Sequence, residues 1–389
     1  MTYNREFFDK GLNRLNTACE KWDDKAACPE GAIPLWVADM DFECAEPIRQ
    51  AILDRAQHPC YGYTMTEDED AKALCDFVMR RHNIDIKPEE TAMMPCVVTG
   101  LRNAVLAFSK EGERVCIFTP VYGPFYFSIE DNGRVVERCE LTKDENARYS
   151  IDFARFEEIL KSGVKLVLLC SPHNPVSRVW TKEELQKVLD LTRAYGATLV
   201  ADEIHAEFVY APHRFVSLME LVTPKDKVLC FMSASKTFNI AGLQQAMVIS
   251  KNSDTLTQMK DELRRVGAAC GNIFALCATR AAYTKCDDWL DALLPYLKDN
   301  AEALKDMVAR LLPKAKMTPV EATYLAWLDL TAYGMTTEEI MKKAAAHGVA
   351  FTGGTFFGKE GDGFVRVNFG CPRTQLEEGM KRLAEAINE

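Results

Sequence analysis

Short apolar runs alternate with amphipathic stretches through the middle of the chain. Five runs are almost continuously apolar, which is typical of strands buried on both faces of a sheet: VCIFT (115–119), VKLVLLC (164–170), ATLVAD (197–202), KVLCFMS (227–233) and QAMVIS (245–250). Helical patterns lie between them. The middle of the chain is therefore predicted to be an α/β structure, a mostly parallel sheet with helices on both sides.

Capping boxes mark where some of these helices begin. Thr181 with Glu184 opens the helical stretch that runs to Tyr195. The same spacing recurs at Thr336–Glu339 and Thr374–Glu377 near the C-terminus. A hydroxyl residue followed three positions later by glutamate satisfies two free backbone N–H groups at a helix start. Each pair therefore predicts a helix N-terminus.

After about residue 280 the pattern changes. A long helical stretch, Asp287 to Leu312, is followed by TYLAWLDL, a helix, and short strand-like pieces around VAFTG and FVRVNF. This order fits a smaller α+β domain. We expect a large domain at residues 48–285, a small domain at 286–389, and a segment at 1–47 that packs with the small domain.

Charge and composition exclude several classes of partner. The chain has 389 residues and a formal net charge of −10, which argues against nucleic-acid or anionic-membrane partners, since both need a basic face. No apolar run approaches the roughly 20 residues of a membrane span. The polar start MTYNREFFDKGLNRLN shows no signal peptide. Fourteen scattered cysteines contain no C-x-x-C pair, which argues against a zinc site and favours a reducing cytoplasm.

Polar residues follow three of the predicted strands at the point where each ends. Asn174 follows the strand that ends at Cys170, Asp202 closes ATLVAD, and Lys236 follows KVLCFMS. Ligands of open α/β sheets gather at the carboxyl ends of the strands, so these side chains are expected to converge. Each residue alone also has an ordinary structural explanation, such as a turn, a helix cap or a solvent-facing lysine. The ordered set is much harder to explain in that way.

Eight motifs together resemble one known family. They are WVADMDF (36–42), YGY (61–63), PVYGPF (120–125), SPHNPVSRVW (171–180), DEIHAEF (202–208), SASKTFNIAG (233–242), TYLAWLD (323–329) and FVRVNFGCPR (364–373). Over nearly its whole length the chain is similar to fold-type I pyridoxal-5′-phosphate (PLP) enzymes of the class I/II aminotransferase superfamily, and most similar to the MalY/PatB-type C–S lyase branch. The resemblance implies a seven-stranded-type sheet in the large, PLP-binding domain.

The resemblance assigns roles to the polar residues at the strand ends. Lys236 is expected to form the Schiff base with PLP and to act as general base, and burial would favour the neutral amine that this requires. Asp202 is expected to pair with the pyridine nitrogen. Asn174 matches the residue bonded to the phenolic oxygen. Tyr122 matches a catalytic aromatic residue stacked on the ring.

Further matches concern the phosphate and the substrate. Ser233, with Ser235 as a weaker candidate, matches a phosphate ligand, and the N–H groups of Val97 and Val98 are expected to face the phosphate at a helix start. Cys96 and Thr99-Gly100 depart from the usual glycine and proline of the family. The resemblance also implies two residues that bind the amino-acid substrate, Arg366 for its α-carboxylate and Ala38, and a shared role for Tyr63, which would reach the neighbouring subunit's phosphate in a homodimer.

Two departures from many aminotransferases favour elimination over transamination. His205 stands three residues after Asp202 where many aminotransferases have tyrosine, and Gln244 stands where many have a phosphate-binding arginine. By resemblance, His205 contacts the cofactor. Trp36, Met40, Tyr324 and Trp327 are candidates for the mouth of the substrate pocket or for core.

The resemblance thus implies a lyase that cleaves cystathionine, cystine or related cysteine S-conjugates. An aminotransferase for aromatic or sulfur amino acids is the alternative. A regulatory role through a protein partner stays open and is not indicated by the sequence.

Overall fold

The apolar runs predicted as buried strands form the centre of the computed structural model, which describes residues 2–269 and 271–389. The strands of these residues are β1 (Ile33–Pro34), β2 (Thr91–Met94), β3 (Arg114–Thr119), β4 (Val135–Glu140), β5 (Thr142–Lys143), β6 (Tyr149–Ser150), β7 (Leu166–Cys170), β8 (Thr198–Asp202), β9 (Val228–Met232), β10 (Ala246–Ile249), β11 (Lys316–Met317), β12 (Leu325–Asp329), β13 (Val349–Ala350), β14 (Thr352–Gly353) and β15 (Phe364–Asn368).

Helices cover the sheets and connect their strands. They are α1 (Arg5–Asp9), α2 (Glu20–Asp23), α3 (Glu46–Gln57), α4 (Asp68–His82), α5 (Val97–Phe108), α6 (Pro124–Glu130), α7 (Phe153–Lys161), α8 (Lys182–Tyr195), α9 (Ala234–Thr237), α10 (Ser253–Arg265), α11 (Ile273–Lys285), α12 (Asp287–Leu311), α13 (Thr337–Ala346) and α14 (Arg373–Asn388). Within the described ranges, no helix is both long enough and apolar enough to span a membrane.

The central sheet has seven strands in the order β2-β10-β9-β8-β7-β3-β4. The β3–β4, β3–β7, β7–β8 and β8–β9 pairs are parallel, whereas β10 runs antiparallel to β9 and β2. The predicted α/β class, with a mostly parallel seven-stranded sheet, is confirmed. β2 and β4 were not predicted from the sequence.

Both faces of this sheet are buried, as the continuous apolar runs predicted. Val115 and Ile117 of β3 pack in a core with residues of α5, α6 and α10. Cys116 and Phe118 of the same strand belong to the larger core on the opposite face. Alternate side chains of a strand point to opposite faces, so a strand covered on both sides needs apolar residues at every position.

Two of the three predicted capping boxes are present. In α8 the Thr181 hydroxyl accepts from the N–H of Glu184 at 3.2 Å, and the Glu184 carboxylate accepts from the N–H of Thr181 at 2.7 Å. Thr336 and Glu339 form the equivalent box at α13. The box predicted at Thr374–Glu377 is wrong, because α14 begins two residues earlier than this box requires, with Pro372 rather than Thr374 at its N-cap. Thr374 therefore lies inside the helix.

A second, antiparallel sheet in the C-terminal part has the order β11-β12-β15-β14. The N-terminal segment lies against this part of the chain. Its strand β1 pairs in parallel with β13, Ile33 opposite Val349. The buried ring of Phe8 packs against Tyr296 of α12 with centroids 5.3 Å apart. The division into residues 1–47, 48–285 and 286–389 stays a prediction.

A buried arginine ties the loop after β7 to the segment before β12. Arg178 is fully buried, and its guanidinium donates to Glu321 at 2.8 Å and to Glu184 at 2.7 Å. The Glu321 carboxylate also accepts from the N–H of Val179 at 2.9 Å. Buried charges are stable only when they are paired and hydrogen-bonded. The network therefore fixes the loop that carries Asn174.

Candidate active site

A cavity of about 170 Å³ opens at the carboxyl ends of the central strands. Nine residues predicted from the sequence line it, namely Ala38, Val97, Val98, Tyr122, Asn174, Asp202, His205, Ser235 and Lys236. Cys96, Cys170, Ile204, Ala241, Gln244 and Gln245 complete the lining. The convergence expected from the strand ends is thus present, since the residues come from the ends of β7, β8 and β9 and from the start of α5.

Lys236 lies in the single turn of α9, directly after β9. Its largely enclosed ammonium donates a hydrogen bond to the carbonyl oxygen of Ala38 at 2.6 Å. Burial lowers the pKa of Lys236, while the nearby carboxylates of Asp39 and Asp202 oppose that shift. A lysine in this setting loses its proton more readily than an exposed lysine, so its amine is available as a nucleophile and base.

Asp202 is the last residue of β8 and is buried. Its carboxylate accepts from the backbone N–H of Ile204 at 3.1 Å, and burial raises its pKa to about 6. Glu203, the next residue, does not line the cavity. It accepts from the Ser217 hydroxyl at 2.7 Å and the N–H of Leu218 at 3.0 Å, and its pKa is raised by burial to about 7. Of the two adjacent carboxylates, Asp202 alone faces the site.

His205 is a neutral imidazole in this cavity. It is buried, and burial together with the charges of Lys236 and Arg366 lowers its pKa to about 3. Its Nδ1 atom has no hydrogen-bond partner among the described residues. Its ring lies edge-on to Tyr324, with centroids 6.0 Å apart. At neutral pH it contributes a polar, uncharged surface.

The opposite end of the cavity is formed by the N-terminus of α5. Cys96 is its N-cap, with an extended φ of −160°, and the thiol sulfur accepts from the N–H of Thr99 at 3.4 Å. The cysteine that replaces the usual glycine therefore needs no left-handed backbone. The first N–H groups of the helix, at Val97 and Val98, have no partner within the helix and carry its positive dipole end. This end of the cavity suits an anion.

The two serines of SASK are placed differently from each other. Ser235 lines the cavity. Ser233 is buried outside the lining, where its hydroxyl donates to the carbonyl oxygen of Gln245 at 2.6 Å and caps α9 through the N–H of Ser235 at 3.0 Å. The assignment of Ser233 as an anion ligand, with Ser235 as the weaker candidate, stays a prediction.

Arg366 on β15 lies beside the cavity. It is buried and donates to the carbonyl oxygen of Trp36 at 2.8 Å and to the amide oxygen of Asn174 at 3.3 Å. Its Nε atom has no partner among the described residues, and burial lowers its pKa to about 10. A buried guanidinium with a free N–H is suited to bind a carboxylate.

The other sequence candidates lie at different depths. Tyr63 is fully exposed in an irregular segment and does not line the cavity of its own chain. Met40 and Trp327 are fully buried in the core. Tyr324 is also buried, and its hydroxyl donates to the carbonyl oxygen of Ala38 at 2.9 Å. Nothing in the sequence around Tyr324 indicated this contact, because the two residues are 286 positions apart.

A match to a family model covers residues 30–383 and is described as aminotransferase class I and II. Cystathionine beta-lyase PatB of Bacillus subtilis is 37% identical over 98% of this chain and 100% of its own length. Cystalysin from Treponema denticola, whose structure contains PLP, is 31% identical with a TM-score of 0.94, covering 100% of this chain and 99% of its own. A PLP-bound C–S lyase from Staphylococcus hominis is 30% identical with a TM-score of 0.92 at the same coverage. The chain belongs to the aminotransferase class I and II family, and its predicted resemblance to the MalY/PatB-type branch is confirmed.

The raised pKa of Asp202 predicts how the stability of the cofactor-free protein depends on pH. The pKa is about 6 in the fold and 3.8 in an ordinary aspartate. Ionisation therefore destabilises the fold increasingly as the pH rises from 3.8 to 6, and by a constant amount above. The amide in Asp202→Asn has no such penalty. We expect the free energy of unfolding of the variant to exceed that of the parent by about 3 kcal/mol at pH 8. At pH 3.5 Asp202 is mostly protonated in both the folded and the unfolded protein, so this advantage should be absent.

Urea unfolding of both proteins at a series of pH values tests this expectation. The exposed Asp85→Asn is the control, and its effect should stay within about 0.5 kcal/mol at each pH. A difference between Asp202→Asn and the parent that does not vary with pH would contradict the assignment.

Proposed function

We propose that this member of the aminotransferase class I and II family is a PLP-dependent carbon–sulfur β-lyase. Its substrates would be cystathionine, cystine or related cysteine S-conjugates, and its products pyruvate, ammonia and a thiol. The observation that carries the proposal is that one cavity is lined by the side chains of five predicted site residues, namely Lys236, Asp202, Asn174, Tyr122 and His205. The names of the similar proteins, a cystathionine beta-lyase and a C–S lyase, support the same reaction.

The residues that line the cavity fit PLP. PLP needs an amine for its aldehyde, a carboxylate for its pyridine nitrogen and an anion site for its phosphate. Lys236, Asp202 and the start of α5 offer these three groups around one cavity. The buried Gln245 side chain also lines this cavity, and its Oε1 atom, an acceptor, is unpartnered among the described residues.

When bound, PLP supplies an electron sink that makes the Cα–H bond of an attached amino acid acidic. The chain's own residues then divide the remaining tasks. Asp202 would hold positive charge at the pyridine nitrogen of PLP, and the amide of Asn174 would orient its phenolic oxygen. The guanidinium of Arg366 fixes the substrate carboxylate. The neutral amine of Lys236 takes the α-proton, becomes an ammonium, and can hand a proton to the departing sulfur.

The net reaction is an α,β-elimination followed by hydrolysis. The Cα–H and Cβ–S bonds break, the sulfur leaves with the electron pair of the C–S bond, and a proton makes it a thiol. Water then converts the remaining three-carbon unit to pyruvate and ammonia. Transamination would instead return a proton to the cofactor and would require a 2-oxo acid. His205 and Gln244 favour elimination by resemblance.

We expect thiol release without a co-substrate. From L-cystathionine the purified protein should release pyruvate, ammonia and the thiol homocysteine in equal amounts, and from L-cystine equal amounts of pyruvate, ammonia and cysteine persulfide, with or without an added 2-oxo acid. Pyruvate, ammonia and free thiol are measured in parallel. Product formation that depends on the 2-oxo acid would make the chain an aminotransferase and would show His205 to be a misleading indicator.

Lys236→Ala should remove the covalent link to PLP. We expect loss of the visible absorbance band of the lysine-bound cofactor and a fall in thiol release on the order of 10³-fold, since the general base is lost as well. Lys227→Ala is the matched control, because Lys227 is exposed and precedes β9, at the end opposite Lys236. A Lys236→Ala protein that keeps the visible band would refute the assignment of this lysine.

A homodimer with shared active sites is part of the proposal. Tyr63 and Met65 lie in an irregular segment with exposed fractions of 111% and 79%, and Tyr61 is 57% exposed. Such a cluster of exposed large side chains is unusual for a monomer and typical of a protein interface. A partner subunit that covers this segment would bring its own Tyr63 to the neighbouring site.

Co-expression of two inactive variants tests the shared site. If each site combines Lys236 of one subunit with Tyr63 of the other, a mixed dimer of Lys236→Ala and Tyr63→Ala chains has one site with both residues intact and one site with neither. Random pairing should restore about a quarter of the parent activity. Lys236→Ala with Arg366→Ala is the control, because both changes are in groups that each subunit keeps for itself, and no activity should return. Equal outcomes for the two pairs would contradict the role of Tyr63.

The cytoplasm is the proposed compartment. The described cysteines, from Cys19 to Cys371, are free thiols, and Cys270 lies outside the described residues. Free thiols in this number are typical of a reducing compartment.

A further inference from the structure

The carbonyl oxygen of Ala38 accepts two hydrogen bonds inside the candidate site. One comes from the Nζ atom of Lys236 at 2.6 Å and the other from the hydroxyl of Tyr324 at 2.9 Å. A carbonyl oxygen has two lone pairs, so these two donors use its full capacity. The lysine amine and the tyrosine hydroxyl are therefore linked through one backbone atom.

That carbonyl is held in place from both sides. The side chain of Asn239 accepts from the N–H of Met40 at 2.9 Å, and Asn368 donates to the carbonyl oxygen of Asp39 at 2.7 Å. Arg366 donates to the carbonyl oxygen of Trp36 at 2.8 Å. With neighbouring peptide groups fixed in this way, the orientation of the Ala38 carbonyl is set by the fold.

Tyr324 is equally constrained. It is fully buried, and its ring packs edge-on against Phe208, with centroids 4.9 Å apart, and against His205 at 6.0 Å. Its backbone oxygen accepts from the N–H of Phe369 at 2.9 Å. A phenol has one proton to donate, and here that proton is directed to Ala38.

This arrangement matters for an amine that must act as a base. A neutral lysine amine has two N–H groups and one lone pair, and the lone pair has to face the substrate Cα–H bond. The Ala38 carbonyl can only accept, so it binds an N–H and leaves the lone pair free. The proton of Tyr324 is occupied by the same carbonyl and does not compete for that lone pair.

We propose that Tyr324 is a positioning residue that acts through the Ala38 carbonyl to orient the amine of Lys236 for proton transfer at the substrate Cα. The inference rests on the proposed PLP-dependent function. The proton moves from Cα to Nζ, and the bonding pair passes to the electron sink that PLP supplies.

The charged groups around Lys236 affect its protonation but do not set the direction of its N–H groups. The charges that act on its ammonium are the guanidinium of Arg366 and the carboxylates of Asp39, Asp202 and Glu20, and the neutral imidazole of His205 lines the same cavity. These charges and dipoles bias protonation. Among the described contacts, the Ala38 carbonyl is the hydrogen-bond partner of Nζ and so fixes its direction.

Tyr324→Phe in the holoenzyme tests the proposal. Exchange of the α-proton of L-alanine in D₂O, followed by NMR, reports on proton transfer without any leaving group. We expect kcat for exchange to fall about tenfold with KM nearly unchanged, because alignment is lost and binding is kept. Without the tyrosine donor, the carbonyl binds the ammonium more strongly and so favours the protonated form of Lys236. The pH at which the exchange rate reaches its plateau should therefore rise by about half a pH unit or more.

The visible band of the lysine-bound cofactor is the second readout. If Tyr324 acts on the free amine of Lys236, as proposed, the pH dependence of this band should be the same in Tyr324→Phe and in the parent. Tyr210→Phe is the matched control. It removes another buried hydroxyl, which donates at 2.7 Å to the carbonyl oxygen of Thr323, next to Tyr324 in sequence. It should leave the exchange rate and its pH profile unchanged.

Three results would overturn the inference: exchange in Tyr324→Phe equal to the parent, an equal loss in Tyr210→Phe, or a parallel shift of the visible band and the exchange profile. The last two would assign Tyr324 to packing alone. Failure of the lyase proposal is distinguishable, because it would appear as absent thiol release from L-cystathionine and L-cystine, whereas exchange of the L-alanine proton does not require elimination.

Discussion

Placing a lysine amine in a largely enclosed cavity at the carboxyl edge of the central sheet is the constraint on which the site depends. An ammonium without water needs either a partner or the freedom to lose its proton. Among the residues that the structure describes, Lys236 has one hydrogen-bond acceptor, the Ala38 carbonyl, while the carboxylates of Asp39 and Asp202 act only through space. Full pairing with a carboxylate would hold the charged form. Burial instead lowers the pKa of Lys236 and so favours the neutral state in which the amine can react.

The other polar groups around the lysine are also left without a fully paired charge. His205 is uncharged, and Asp202 is buried with a single backbone donor. Arg366 is held by a carbonyl and an amide oxygen rather than by an acid. Each group is thus left with unused bonding capacity that a ligand can take up. Fully satisfied charges lie further out, as in the Arg178–Glu321 pair that holds the loop of Asn174 in place.

Much of this architecture follows from the sequence, and the exceptions have physical reasons. Central strands need apolar residues on both faces, so their continuous runs predicted β3 and β7 to β10. The strand β4 lies at the sheet edge with a partly exposed sequence, VVERCE, and no such run marks it. The capping box at Thr374 failed because Pro372 starts the helix first. The contacts of Ser233 and Tyr324 were beyond reach, since partners in the fold but distant in sequence leave no local pattern.

The partners of the segment at residues 33–42 have a consequence for the order in which the protein is built. Its strand β1 pairs with β13 at Val349–Ala350, and its peptide groups are bound by Asn239, Arg366 and Asn368. During synthesis these partners leave the ribosome long after the segment itself. Residues 33–42 therefore reach their final place only after these later partners have been made.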